Sequence, residues 1–335
     1  MEQFETEIYL RYKRIIQDSV IPGSDRESPK EIASPRSVTL PEIIDHYDAF
    51  CFDGYGTLYN RGSFVYPGAM EWFQMLRRAG KQIRLVTNAA SDVDEVLARD
   101  ADKRGFDFST EETISSGSLL KDLVTKLRGN VVGFASETAT LSRTAAKPLE
   151  LSEVYYIGRE TGKNVLAACG MRAVAMDAEP AEPIVAISSA KDTPETYAQA
   201  VKILQKPGAI LLVLNSDAWA PKIPDENGVT VREPVSGALS ERLRRDSVCE
   251  ANGGEGCATF YLGKPFPQIW ERVKASLPLN ARVLMIGDTL GTDVYGAKIA
   301  GFDSALVVGR NVPAAELEAD EAALGIWPDY YLQPV

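Results

Sequence analysis

The chain has 335 residues, with 36 Lys and Arg against 47 Asp and Glu, a formal charge of −11 and 45% hydrophobic residues. That length suits about two domains, and that apolar content fills two cores, which excludes a globally disordered chain. The acidic balance without a basic cluster argues against nucleic acid or an anionic membrane as partner, and with a single histidine, His46, and no CxxC the four cysteines form no zinc pattern.

Phe4, Ile8, Tyr12, Ile15 and Ile16 recur at helical spacing and predict an amphipathic helix over 2–17, followed by a polar linker, VIPGSDRESPKEIASPRS. MEQFETEIYLRYKR lacks the apolar core of a signal peptide. Apolar runs such as AILLVL at 209–214 fall short of the ~20 residues of a membrane span, so a cytoplasmic protein with reduced thiols is expected. Four apolar runs end in polar residues: DAFCFD (48–53), KQIRLVTN (81–88), ARVLMIGD (281–288) and SALVVG (304–309). Runs apolar on both faces suit parallel strands covered by helices. PGAMEWFQMLRRAG (67–80) reads as the crossover helix between the first two, opened by Pro67 and closed by Gly80, and Ser91 is the expected cap of the next helix. Such alternation predicts an α/β, doubly wound parallel sheet whose ligands sit beyond the carboxyl ends of its strands.

Between these runs, VYYIG (154–158), PIVAIS (183–188) and AILLVLN (209–215) read as strands and TPETYAQAVKILQ (193–205) as a helix capped by Thr193. The expected division is an N-terminal helix and linker (1–39), a core (40–129 and 259–335) and an inserted domain (130–258).

FDGYGTLY places Asp53 at a strand end before Gly54, Gly56 and Thr57. A carboxylate there can act as a nucleophile if a cation and the N–H groups of a tight loop through Gly56 and Thr57 hold the electrophile against it. Thr87 and Asn88 close the second strand and can hold phosphate oxygens, while Lys264 in GKP can neutralise a phosphoryl group. IGDTLGTDV offers Asp288 and Asp293, a pair suited to Mg²⁺. Each segment alone has a plainer reading as a turn, a helix cap or a solvated lysine. Turn chemistry does not account for all four in this order.

FDGYGTLY, LVTN, GKP and IGDTLGTDV resemble the four motifs of the haloacid dehalogenase-like hydrolase superfamily, over roughly residues 46–310. Only 34 residues separate Asp53 from Thr87, but 177 separate Thr87 from Lys264, so the inserted domain falls between the second and third motifs. That placement is similar to class IIA, the NagD and p-nitrophenyl-phosphatase group, as is LLVLNSDAWAPKIPDENGVTVREPVSGAL with its Asn215, Asp217 and Pro221. The resemblance implies a Rossmann-like core, an α/β C2-type cap, Mg²⁺ and an aspartyl-phosphate intermediate formed from a small phosphorylated metabolite, and it raises a homodimer through the cap. It makes Asp53 the nucleophile, and Thr87, Asn88 and Lys264 the groups around the phosphoryl oxygens. The metal set is Asp53, the Tyr55 carbonyl, Asp288 and Asp293. Asp217, Trp219 and Lys222 are candidates for substrate contact or the cap hinge, and equally for a structural loop.

One position departs from the pattern. Phosphatases of this superfamily carry a second Asp two residues after the nucleophile, where this chain has Tyr55. That Asp serves as general acid and base, work contributing ~10²- to 10⁴-fold, and a phenol of ordinary pKa ~10 replaces it poorly near neutral pH. A slow phosphatase is the expected activity. The alternatives are a carbon–halide hydrolase, because haloacid dehalogenases also show D-x-Y-G-T-L, and a phospho-metabolite-binding protein without turnover.

Overall fold

The computed structural model describes residues 3–19, 34–129, 149–250, 254 and 256–334. The first helix, α1 (Gln3–Asp18), matches its periodicity, whereas most of the expected linker lies outside the described residues. Among the described residues no helix is long and apolar enough to cross a membrane. All four cysteines are free, three of them buried.

Seven strands form the first sheet: β1 (Arg36–Val38), β2 (Ala49–Phe52), β3 (Gln82–Thr87), β4 (Thr113–Ser115), β12 (Val283–Gly287), β13 (Asp303–Leu306) and β14 (Tyr330–Leu332). Their spatial order is β1-β14-β13-β12-β2-β3-β4, and every pairing is parallel. Alternate side chains of β2 enter different cores. Phe50 and Phe52 pack with Trp72, Phe73 and Leu76 of the helix Ala69–Arg78, while Ala49 and Cys51 pack with Ile269, Trp270 and Val273 of the helix Pro267–Ala275. Both faces are therefore covered, which is why these strands read as unbroken apolar runs.

A second sheet has the order β11-β8-β7-β5-β6, again all parallel: β5 (Glu153–Ile157), β6 (Arg172–Ala173), β7 (Ile184–Ile187), β8 (Ile210–Val213) and β11 (Ala258–Tyr261). A short antiparallel hairpin, β9 (Trp219–Pro221) with β10 (Arg232–Pro234), stands apart from it. The expected boundary at 258/259 falls at the start of β11, which still pairs with β8 through Tyr261, so the chain leaves the second sheet three residues later. The other expected boundary, at 130, lies outside the described residues.

Two helix starts differ from expectation. The helix after β2 begins at Ala69, because Gly68 adopts φ 81° and turns the chain just before it, leaving Pro67 outside. The helix after β3 begins at Asp94, whose carboxylate accepts from the Ser115 backbone N–H at 3.2 Å and from the Ser115 hydroxyl; that partner across the sheet, not a Ser91 cap, sets its start. Thr193 caps the helix Pro194–Leu204 as expected, accepting from the Thr196 N–H.

From β2 the chain moves outward through β3 and β4, and from β12 it moves the other way through β13 and β14. The switch between β2 and β12 leaves a crevice at their carboxyl ends, where open parallel sheets bind ligands. Leu76 is fully buried beneath this sheet. Leu76→Ala is expected to destabilise the protein by about 2–5 kcal/mol, read as a lower urea midpoint with an unchanged denaturant slope.

Candidate active site

Register brings the strand ends together. Phe52 pairs with Ile286 on one side and Leu85 on the other, so Asp53 emerges between Asp288 and Thr87 at neighbouring strand tips, ~4.8 Å apart per strand. Lys264 arrives from the second sheet, just past β11. Its Nζ donates to Asp53 Oδ1 at 2.6 Å and to Asp293 Oδ1 at 2.7 Å, and the ammonium is buried.

Asp293 is held from its other oxygen, which accepts the backbone N–H groups of Asp288 (3.1 Å) and Thr289 (3.0 Å) at the entry to a π-type turn, Leu290–Val294. Asp288 Oδ1 accepts the Thr289 hydroxyl at 3.2 Å, while its Oδ2 is buried without a partner. Two glycines make room for these carboxylates. A Cβ on Gly56, whose φ is +103°, would lie 2.0 Å from Asp288 Oδ2, and one on Gly287 would lie 2.2 Å from Asp293 Cγ.

Asp53, Asp288 and Asp293 each offer one carboxylate oxygen, and these atoms lie within 4.8 Å of one another. One lysine cannot balance three carboxylates. Burial, with Lys264 opposing and Asp293 and Asp217 adding to it, pushes Asp53 up to about 7; burial and the neighbouring carboxylates push Asp288 well up too. Burial disfavours the Lys264 ammonium, but Asp293, Asp53 and Asp217 outweigh it and hold its pKa above the usual value. An unpartnered buried carboxylate oxygen among hard oxygen donors with excess negative charge fits a divalent cation such as Mg²⁺.

Asn88 turns away from this cluster. Its Oδ1 accepts the Lys264 backbone N–H at 2.7 Å, and its Nδ2 faces Asp217 Oδ1 (2.8 Å), the Lys264 carbonyl (3.0 Å) and Ser216 Oγ (3.3 Å). Its side chain thus ties the lysine loop to the cap loop rather than facing a phosphoryl group. Thr87 does face the cleft, and its Oγ1 accepts the Ala89 N–H at 3.2 Å.

The cleft holds about 400 Å³ between the core residues Asp53, Tyr55 and Thr87 and the cap residues Arg159, Asp217 and Trp219. Partly buried Asp217 reaches into it, its carboxyl pushed up to about 6 by burial against the pull of Lys264. Gly56 and Thr57, expected to bind substrate, do not line it. Arg310 donates to both their carbonyls, at 3.3 Å for Gly56, and stacks over the Tyr66 ring at 3.9 Å, which pins the loop from behind. Tyr55 lines the cleft with its ring edge-to-face on Tyr59 (5.1 Å), and burial raises its phenol pKa further.

Sequence reasoning missed Arg310 and Asn311, whose Nδ2 donates to Thr289 Oγ1 at 2.7 Å. They follow the fourth apolar run as GRN, so the strand-end rule extended to β13 finds them. The tyrosines of α1, which reach the cap loop, gave no such signal.

A sequence model described as haloacid dehalogenase-like hydrolase matches residues 50–172, and a second, HAD-hydrolase-like, matches 261–333. The chain belongs to the haloacid dehalogenase-like hydrolases. Its second sheet, inserted between the Thr87 and Lys264 loops, is the class IIA cap. A 4-nitrophenylphosphatase of Schizosaccharomyces pombe is 28% identical over 314 residues, covering 91% of this chain and 96% of that protein. Among solved structures, a possible sugar phosphatase of Cytophaga hutchinsonii superposes with a TM-score of 0.70 at 21% identity, covering 90% of this chain and 98% of its own. A glycerol phosphate phosphatase from Mycobacterium tuberculosis in complex with magnesium gives a TM-score of 0.56 at 25% identity, covering 82% of this chain and 72% of its own.

A carboxylate pKa raised in the folded state contributes stability that is complete below its unfolded value, ~3.9, and is lost as pH rises through the folded one, about 7 for Asp53. In a chelator, the melting temperature is therefore expected to fall between pH 5 and pH 8. Asp288→Asn is expected to reduce that fall, by roughly 1–2 °C for each kcal/mol recovered in a chain of this length, and to abolish the thermal shift on adding Mg²⁺. Calorimetry of both proteins with and without the metal checks this.

Proposed function

We propose that this protein is a Mg²⁺-dependent phosphatase of small phosphate monoesters, acting through an aspartyl-phosphate on Asp53. The observation that carries the reading is the Lys264 ammonium bridging Asp53 and Asp293 while a neighbouring oxygen of Asp288 lies buried without a partner. The names of the S. pombe and M. tuberculosis relatives point the same way.

In this reading Asp53, Asp288 and the Tyr55 carbonyl would hold Mg²⁺, with Asp293 in support. The bound ion supplies positive charge to the phosphoryl oxygens. Lys264 adds its own charge to the same oxygens, opposes the burial that raises the Asp53 pKa, and aims the carboxylate. Asp53 forms a bond to phosphorus as the bond to the ester oxygen breaks, and the alcohol departs with a proton from solvent. Water then attacks the acyl phosphate, releasing inorganic phosphate and regenerating the carboxylate.

Tyr55 sets the rate. Its phenol, packed on Tyr59 and raised above its ordinary pKa, is a poor proton donor, so esters whose leaving group needs no proton are favoured. Phosphate release from 4-nitrophenyl phosphate is expected to require Mg²⁺ and to vanish in Asp53→Asn. Tyr55→Asp is expected to raise turnover of an alkyl phosphate such as glycerol 3-phosphate by about 10²-fold or more, with a smaller gain on the aryl ester. Haloacid turnover in chelator, with both phosphate esters left intact, would overturn the phosphatase reading in favour of carbon–halide hydrolysis.

A further inference from the structure

The helix α1 is not needed to complete either sheet, yet its apolar face is buried where the cap and the core meet. Ile8, Tyr9, Tyr12, Ile15 and Ile16 share one apolar cluster with Val185, Leu211 and Val213 of the cap sheet and with Leu290, Val294 and Leu324 of the core. Its polar contacts divide in the same way. On the core side, Lys13 Nζ donates to the carbonyls of Leu324 (3.1 Å) and Gly325 (3.3 Å). Tyr9 lies so close to the turn after Asp288 that a Cβ on Gly291 would sit 2.2 Å from its ring. On the cap side, Glu5 pairs with Arg232 at 2.8 Å and Arg11 with Glu241 at 2.9 Å.

The tyrosines reach further. Tyr12 Oη donates to the Ser216 carbonyl at 2.9 Å, and Tyr9 Oη accepts the Ala218 N–H at 3.4 Å. Phe4 meets Trp219 edge-to-face at 6.1 Å. Residues 215–218 leave the cap sheet after β8 and run past the Asn88 and Lys264 loops before β9 begins, outside any strand ladder. Ser216 Oγ in turn donates to the Lys264 carbonyl, and Asp217 accepts from Asn88, which holds the Lys264 N–H. Tyr12 is therefore two hydrogen bonds from the backbone of the lysine that grips Asp53.

We infer that α1 is a brace joining cap to core, and that Tyr12, with Tyr9 in support, is a positioning residue that holds the 215–219 loop over Lys264 and so fixes the cleft wall formed by Asp217 and Trp219. The covalent chain passes once into the cap and once back to the core. The docked helix adds a noncovalent link beyond those that Lys264 and Asn88 make. Its hydrogen bonds end on backbone groups of the loop, so they constrain where the loop lies rather than which side chains it carries.

The test uses the full chain with Tyr12→Phe, which keeps the ring packed against Tyr261 (5.0 Å) and Phe266 (5.2 Å) and removes only the hydroxyl. Amide hydrogen exchange at residues 216–218 is expected to quicken about tenfold, with exchange in β2 and β12 unchanged, whereas Tyr9→Phe is expected to quicken exchange chiefly at Ala218, whose N–H the Tyr9 hydroxyl accepts. With 4-nitrophenyl phosphate, Tyr12→Phe is expected to raise KM several-fold and lower kcat less, as the cleft wall loosens around intact chemistry. Exchange at 216–218 and KM both within twofold of the parent would overturn the inference, as would faster exchange spread evenly over the whole chain. The kinetic arm rests on the phosphatase reading and the exchange arm does not. If the parent fails to turn over any phosphate ester, that reading falls while exchange still judges the brace.

Discussion

Three carboxylates crowd one buried ammonium, and the rest of the site answers to that imbalance. Asp53, Asp288 and Asp293 would repel one another out of water, and Lys264 compensates only part of their charge through Asp53 and Asp293. The fold tolerates the arrangement because backbone dipoles and small residues are placed around it. The N–H groups of Asp288 and Thr289 neutralise one face of Asp293, and Gly56 and Gly287 clear the space the carboxylates occupy. A site tuned for apo stability would place a neutral residue at Asp288. A buried carboxylate oxygen left without a partner costs stability, and the proposed cation would offset that cost.

The same constraint explains how cap and core cooperate. Lys264 comes off the last cap strand while Asp53 and Asp293 belong to core strand ends, so the ion pairs fasten the two units together at the reaction centre. Asn88 and Ser216 extend the fastening outward by gripping the lysine backbone from the core and the cap respectively. The α1 tyrosines then hold Ser216 and Ala218 from behind. Positioning in this molecule is layered: charge in the centre, amide and hydroxyl bonds around it, and aromatic packing outermost.

Tyr55 shows how a side chain beside the charge cluster is taken up by its aromatic neighbours. Its ring is absorbed by Tyr59, over which Arg104 also lies at 4.9 Å, so the position has become part of an aromatic wall. An aromatic wall excludes water and shapes the cleft, but it does not deliver a proton. In the proposed phosphatase the Tyr55 carbonyl could still face the metal, because every residue supplies one, whereas a side-chain acid is absent at this position.

Much of the fold, and the gathering of Asp53, Lys264, Asp288 and Asp293 at one strand edge, was legible in the sequence because the determinants are contiguous. Each strand and the loop that ends it lie within about ten residues, so apolar runs closed by Asp53, Thr87 and Asp288 announced both the parallel sheet and the edge where its carboxylates gather. The gap between motifs likewise fixed where the cap is inserted. Only the tertiary structure decided that Asn88 serves the lysine loop, that Gly56 and Thr57 lie behind the cleft under Arg310, and that α1 bridges cap and core. Those contacts join residues 176, 254 and 204 positions apart. No periodicity or local propensity carries such pairings, because which donor meets which acceptor across that distance is set by how the sheets pack, and packing is a property of the whole chain.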